Sequence, residues 1–83
     1  MDIDFLKRLL STPGPSSDEI APARVWLAEA STFADEVRID VAGSALAVLN
    51  GNGPRVLLAG HIDEIGLMVS YIDDDGFLFF QGV

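Results

Sequence analysis

His61 is the single histidine of this 83-residue chain, and Asp63 follows it two residues later. The histidine lies one glycine beyond the apolar run 56–59, and open α/β sheets bind their ligands beyond the ends of buried strands. An imidazole can bind a metal ion through one ring nitrogen while a nearby carboxylate holds the other. Glu64 adds a further carboxylate. These residues are therefore a candidate metal-binding element.

A simpler interpretation of the same residues stays open. A lone histidine is more often a hydrogen-bonded turn or core residue, and His-x-Asp is common by chance. Hydrolytic zinc needs three protein ligands and an open position, and a two-metal site needs more, which these residues do not supply. The acidic cluster 73–75 lacks the alternating acids of a calcium loop, so a hairpin turn is favoured there.

The composition excludes several classes of protein. Five Lys and Arg against thirteen Asp and Glu give a net charge of -8, which offers no basic stripe for nucleic acid. Hydrophobic residues at 49% and charged residues at 22% are typical of globular chains. The sequence has no cysteine, no signal peptide and no apolar stretch of roughly 18 residues. It predicts a cytoplasmic protein that binds neither nucleic acid nor membranes.

The hydrophobic pattern predicts two helices at the start of the chain. Residues 3–10 have apolar positions at helical spacing, and two prolines in residues 12–15 end that helix. Ser16 and Glu19 have the spacing of a capping box for a second helix that runs to about residue 30. Pro22 predicts a kink in that helix or a start delayed to Ala21.

Strands are predicted for the rest of the chain. Alternation with period two indicates a strand over 36–41, followed by strands over 45–49 and 67–72. A tight connection at 50–53 leads to a strand over 56–59 that is buried on both faces. A turn at 73–76 precedes the apolar residues 77–80. The fold class is α/β, with two N-terminal helices and then the strands of a mixed sheet.

Three stretches of this sequence resemble the dinuclear-metal aminopeptidases, which include the glutamyl, deblocking and tetrahedral aminopeptidases. They are STPGPSSDE, RIDVAGSALAVL and, most specifically, RVLLAGHIDEIGLMVSYIDDDGFLFFQGV. The resemblance covers essentially all 83 residues but corresponds to the first part of a longer family chain. Two departures are Gly43-Ser44, where the family usually has Gly-Asn, and Ser17, where it often has Gly.

The resemblance implies that His61 is a ligand to one of two divalent metal ions, usually zinc or cobalt, and that Asp63 is the catalytic residue that orients it. The other ligands and the general-base glutamate come from later family sequence. Residues 1–66 then form the start of the α/β catalytic domain of a metallopeptidase. Residues 67–83 cross into a β-rich dimerisation domain, at which the chain is truncated.

The function implied by the resemblance is a metal-dependent hydrolase that removes N-terminal residues from peptides and forms homo-oligomers when full length. The 83-residue chain alone is expected to be inactive. The alternative is a non-catalytic remnant or interaction module that binds a partner through its exposed sheet edge. The preferred N-terminal residue and the native metal do not follow from this sequence.

Overall fold

The computed structural model describes residues 2–83, and two helices precede four strands within that range. The helices are α1 (Ile3–Ser11) and α2 (Ile20–Ala30), and the strands are β1 (Glu36–Ile39), β2 (Ala45–Val48), β3 (Leu67–Ile72) and β4 (Leu78–Gly82). Both strand pairs, β1 with β2 and β3 with β4, are antiparallel. The predicted α/β order of helices and strands is confirmed, whereas the strands of residues 2–83 form two separate antiparallel pairs and not one mixed sheet.

Helix α1 confirms the predicted amphipathic helix and is one residue longer. The Asp2 carboxylate caps its first turn by accepting a 3.1 Å hydrogen bond from the Phe5 amide. At its end the Thr12 hydroxyl donates to the Arg8 carbonyl over 2.6 Å, and Pro13 opposes further helix because it disfavours the helical conformation at Thr12. The Arg8 guanidinium lies 3.6 Å from the Glu29 carboxylate, so the helix ends close to α2.

Helix α2 begins at Ile20, and the predicted capping box is wrong. Its N-cap is Glu19, which makes no side-chain cap, and the Ser16 hydroxyl binds elsewhere. Pro22 is the third residue of the helix, in the first turn, where backbone amides have no partner within the helix. The proline therefore removes no helical hydrogen bond. Of the two predicted outcomes, a kink or a delayed start, the delayed start is the better one, although it falls at Ile20 and not at Ala21.

The hairpin of β1 and β2 contains both predicted strands over a shorter range, but burial does not alternate along either strand. Glu36 pairs with Val48 and Ile39 with Ala45. In the turn between them the Asp40 carboxylate accepts from the Ala42 and Ser44 amides, each over 2.9 Å. The side chains of β2 are half-buried, because α2 packs against this hairpin.

The predicted buried strand over 56–59 is not formed. Within residues 2–83 no strand pairs with it, and Val56, Leu57 and Leu58 are 80%, 85% and 91% exposed. The predicted hairpin connection at 50–53 is therefore wrong as well. An apolar run becomes a stable strand only when neighbouring chain satisfies its backbone groups and covers its side chains, and no described element does so here.

The hairpin of β3 and β4 confirms the turn interpretation of residues 73–76. The Asp73 carboxylate accepts hydrogen bonds from the Asp75 amide at 3.0 Å and the Phe77 amide at 2.9 Å. Gly76 has φ 87°, a conformation that glycine adopts without steric cost. β3 begins at Leu67, where we predicted the crossing into a second domain; the division into domains itself stays a prediction.

The core is small, and the molecule is elongated. Ala23, Ala30 and Pro22 are buried, whereas both faces of the β3–β4 hairpin are exposed. The accessible surface is 7037 Å², against about 4,800 Å² for a compact monomer of this mass. The radius of gyration is 17.1 Å, against about 12 Å for a compact chain of this length. No helix within residues 2–83 is long and apolar enough to cross a membrane.

We predict that the isolated 83-residue chain associates with itself, because an exposed apolar surface of this extent is unfavourable in water. Light scattering should give a mass above the 8.9 kDa of one chain, and a hydrophobic dye should bind strongly. Replacing Phe79 and Phe80 by Ser should reduce both signals. A monodisperse monomer that binds no dye would contradict this prediction.

Candidate metal centre

The candidate site lies where two distant parts of the chain meet. We call residues 13–16 the PGPS loop and residues 61–64 the HIDE segment, after their sequences. The Glu64 amide donates to the Gly14 carbonyl over 2.9 Å, and the Gly14 amide donates to the Glu64 carboxylate over 3.2 Å. Pro15 and Glu64 also form a parallel bridge. These contacts hold the HIDE segment against the start of the chain.

The two residues singled out from the sequence meet at this position. His61 Nδ1 lies 2.9 Å from Asp63 Oδ1, and the other carboxylate oxygen, Oδ2, accepts a 2.7 Å hydrogen bond from the Ser16 hydroxyl. The His61 side chain is 87% exposed and that of Asp63 is 39% exposed. The imidazole therefore faces open space while the carboxylate is held from both ends.

The charge of Asp63 determines which nitrogen of His61 is available. The hydrogen bond from the Ser16 hydroxyl, followed by that from His61, holds the pKa of the Asp63 carboxyl below its usual value. An ionised carboxylate only accepts hydrogen bonds, so we assign the proton of neutral His61 to Nδ1. The lone pair of Nε2 then remains for a ligand, as in histidines that bind metal ions.

Glycine is required where the site is most tightly packed. A Cβ atom at Gly66 would lie 2.8 Å from Pro15 Cβ and 3.3 Å from Val83 Cγ2. A Cβ atom at Gly14 would lie 2.5 Å from Pro22 Cγ. The chain can therefore approach itself this closely only because neither position carries a side chain.

A cavity of about 280 Å³ opens beside the imidazole. Its lining residues are Leu9, Leu10, Thr12, His61, Ile62, Asp63 and Glu64. The last turn of α1 supplies an apolar wall, and the HIDE segment supplies the polar one. A ligand at His61 Nε2 would thus lie next to both apolar and charged groups.

Comparison with known proteins finds similarity to a family of aminopeptidases. The M42 glutamyl aminopeptidase family matches residues 43–83, a range that includes His61 and Asp63. A putative aminopeptidase of Acetivibrio thermocellus is 40% identical over 96% of this chain and 24% of its own length. The lysyl aminopeptidase of Pyrococcus furiosus is 39% identical over 94% of this chain and 23% of its own. These matches support the interpretation of the chain as an N-terminal fragment of an M42-family protein.

Structural similarity agrees with this assignment. The crystal structure of a TET aminopeptidase from the marine sediment archaeon Thaumarchaeota archaeon SCGC AB-539-E09 matches with a TM-score of 0.87 and 37% identity. The match covers 96% of this chain and 23% of that one, and it lies at the start of the TET structure. The chain thus spans about a quarter of the length of these relatives. The family is one of metallopeptidases, whose members use divalent metal ions.

The donor set of this chain fits one metal ligand and no complete site. Within residues 2–83, no group of three His, Cys, Asp or Glu side chains is arranged to hold a metal ion. The exposed Nε2 of His61, with Nδ1 held by Asp63, has the chemistry of a single ligand. The Asp73 carboxylate already accepts hydrogen bonds from two backbone amides of its own turn.

Sequence reasoning missed two residues of this centre. Ser16 was interpreted as a helix cap, and Glu64 only as a further carboxylate. Their partners, Asp63 and Gly14, lie 47 and 50 residues away along the chain. The only hint in the sequence is the glycine at Gly14, which is suited to a close approach of two backbones.

We predict that Gly66→Ala lowers the free energy of unfolding by about 1–3 kcal/mol, the usual cost of overpacking, because its methyl group would overlap Pro15. Gly51→Ala is the matched control, since a Cβ atom there meets nothing within 4 Å. Urea unfolding of the complete gene product compares the two variants. Equal midpoints would show that Gly66 does not pack against Pro15.

Proposed function

We propose that this chain is the metal-binding N-terminal part of a dinuclear aminopeptidase, with His61 as a ligand to one ion and Asp63 as the residue that orients it. The observation that supports this most directly is the 2.9 Å contact between His61 Nδ1 and Asp63 Oδ1, which leaves Nε2 exposed. The match of residues 43–83 to a metallopeptidase family supports it independently.

In this proposal the chain's own residues present and orient one imidazole, and the apolar end of α1 lines the space beside it. Two divalent ions, zinc or cobalt, one of them held by His61, would supply Lewis acidity and an activated water molecule. The remaining ligands and the general-base glutamate lie outside residues 1–83. The substrates are peptides, from which the enzyme removes N-terminal residues.

The same proposal includes the assembly of the enzyme. The β3–β4 hairpin begins a second, β-rich domain, and the full-length protein is a homo-oligomer in the cytoplasm. The apolar residues on both faces of this hairpin support the first point, since they require covering. The TET aminopeptidase among the similar structures supports the homo-oligomer.

A second candidate is a non-catalytic interaction module. The unpaired run 56–59 and the exposed β3–β4 hairpin favour it, because both offer backbone and apolar surface to a partner. The two candidates differ in whether further ligands follow in the same chain.

Sequencing the gene beyond the codon for Val83 separates these candidates. We expect the reading frame to continue with Asp, Glu-Glu and His residues that complete the metal site, because a hydrolytic site needs more ligands than residues 2–83 supply. A stop codon at that point would favour the interaction module.

We predict that His61→Ala in the complete gene product reduces turnover of aminoacyl anilides to background and lowers the metal content per chain. The reason is the loss of one ligand from a site that needs all of them. Metal analysis and a colorimetric assay measure the two effects. Asn52→Ala, in the exposed loop at 50–53, is the control and should match the wild type. Wild-type turnover and metal content in His61→Ala would disprove the assignment of His61.

A further inference from the structure

We infer that Ser16 is a positioning residue of the metal centre: its hydroxyl fixes the Asp63 carboxylate and thereby the tautomer and direction of the His61 imidazole. The inference rests on the proposed function, because it assumes that His61 Nε2 binds a metal ion. It concerns a residue whose hydroxyl would act on the imidazole through the Asp63 carboxylate.

The geometry is a chain of two hydrogen bonds through one carboxylate. Ser16 Oγ donates to Asp63 Oδ2 over 2.7 Å, and His61 Nδ1 donates to Asp63 Oδ1 over 2.9 Å. With both oxygens engaged, the carboxylate cannot rotate without breaking one of these bonds. With Oδ2 released, only the His61 imidazole, whose side chain is 87% exposed, would restrain the carboxylate.

Ser16 is in turn placed by backbone contacts on both sides. On its N-terminal side, Gly14 is hydrogen-bonded twice to Glu64. On its C-terminal side, the Asp18 amide donates to the Pro15 carbonyl over 2.9 Å, which closes a turn around Ser16. Within that turn Ser17 has φ 76°, the left-handed conformation that explains why glycine is suited to this position.

The use of this hydroxyl differs from its expected local role. A serine shortly before a helix usually caps it, yet α2 has no side-chain cap. The hydroxyl instead binds a residue 47 positions away. The Ser16 hydroxyl therefore does not cap α2. It binds Asp63, which in turn holds the candidate metal ligand His61.

The chemical consequence concerns the tautomer of His61. A neutral imidazole carries its proton on either nitrogen, and metal binding through Nε2 requires it on Nδ1. A fixed carboxylate at Nδ1 selects that form. Loss of the Ser16 hydroxyl should therefore raise the population of the Nε2–H tautomer, which cannot bind a metal ion through Nε2.

The test compares three variants of the metal-stripped complete gene product with the wild type. Ser16→Ala removes the hydroxyl, Ser16→Thr retains it, and Ser17→Ala removes a neighbouring hydroxyl that makes no hydrogen bond within residues 2–83. Nitrogen NMR of labelled histidine reports the His61 tautomer, and the His61→Ala spectrum identifies its signals. Competition with a chelator gives the affinity for Zn²⁺.

We expect Ser16→Ala to shift the tautomer towards Nε2–H and to weaken Zn²⁺ binding about 10-fold, a typical effect of removing a group behind a metal ligand. Ser16→Thr and Ser17→Ala should match the wild type. If Ser16→Ala does not fold, Ser16→Cys decides, since a thiol of similar size is a weaker donor and should shift both readouts in the same direction.

An unchanged tautomer and unchanged Zn²⁺ affinity in folded Ser16→Ala, or in Ser16→Cys where that variant decides, would overturn the inference. So would a failure of Ser16→Thr to restore both. Failure of the proposed function gives a different result: His61→Ala would then keep its metal and its turnover, whatever the Ser16 variants show.

Discussion

The paired hydrogen bonds between Gly14 and Glu64 are the contact on which the candidate site depends. One bond joins the two backbones and the other joins the Gly14 amide to the Glu64 carboxylate, across 50 residues of the chain. Ser16, Asp63 and His61 are arranged around them. The residues that lead into the HIDE segment, 55–60, are exposed and unpaired within the described chain. The PGPS loop is therefore what gives the imidazole a defined position.

The composition of that loop suits this task. Its two prolines restrict the backbone before folding, so less conformational entropy is lost when the loop is ordered. Gly14 and Gly66 lack the Cβ atoms that would collide with Pro22 and Pro15. The loop can therefore be both stiff and closely packed, which a precise ligand position requires.

The exposed apolar surface has a consequence for the same site. Residues 56–59 precede His61 directly, and they are apolar enough to form a buried strand once neighbours cover them. Such covering would restrain the N-terminal end of the HIDE segment. The PGPS loop already holds its C-terminal end at Glu64. The chain spans about a quarter of its metallopeptidase relatives, so much of their fold has no counterpart in these residues.

The sequence by itself determined the local features: α1, the Asp73 turn, the strands of the two hairpins, and the proximity of His61 and Asp63. Each depends on groups a few residues apart, whose spacing carries the information. The tertiary structure decided the rest. Ser16 bonds to Asp63 rather than capping α2, Glu64 holds Gly14, and 56–59 stays unpaired. Contacts across about 50 residues leave no periodicity in a single sequence, and an apolar run indicates that it needs covering without indicating what covers it.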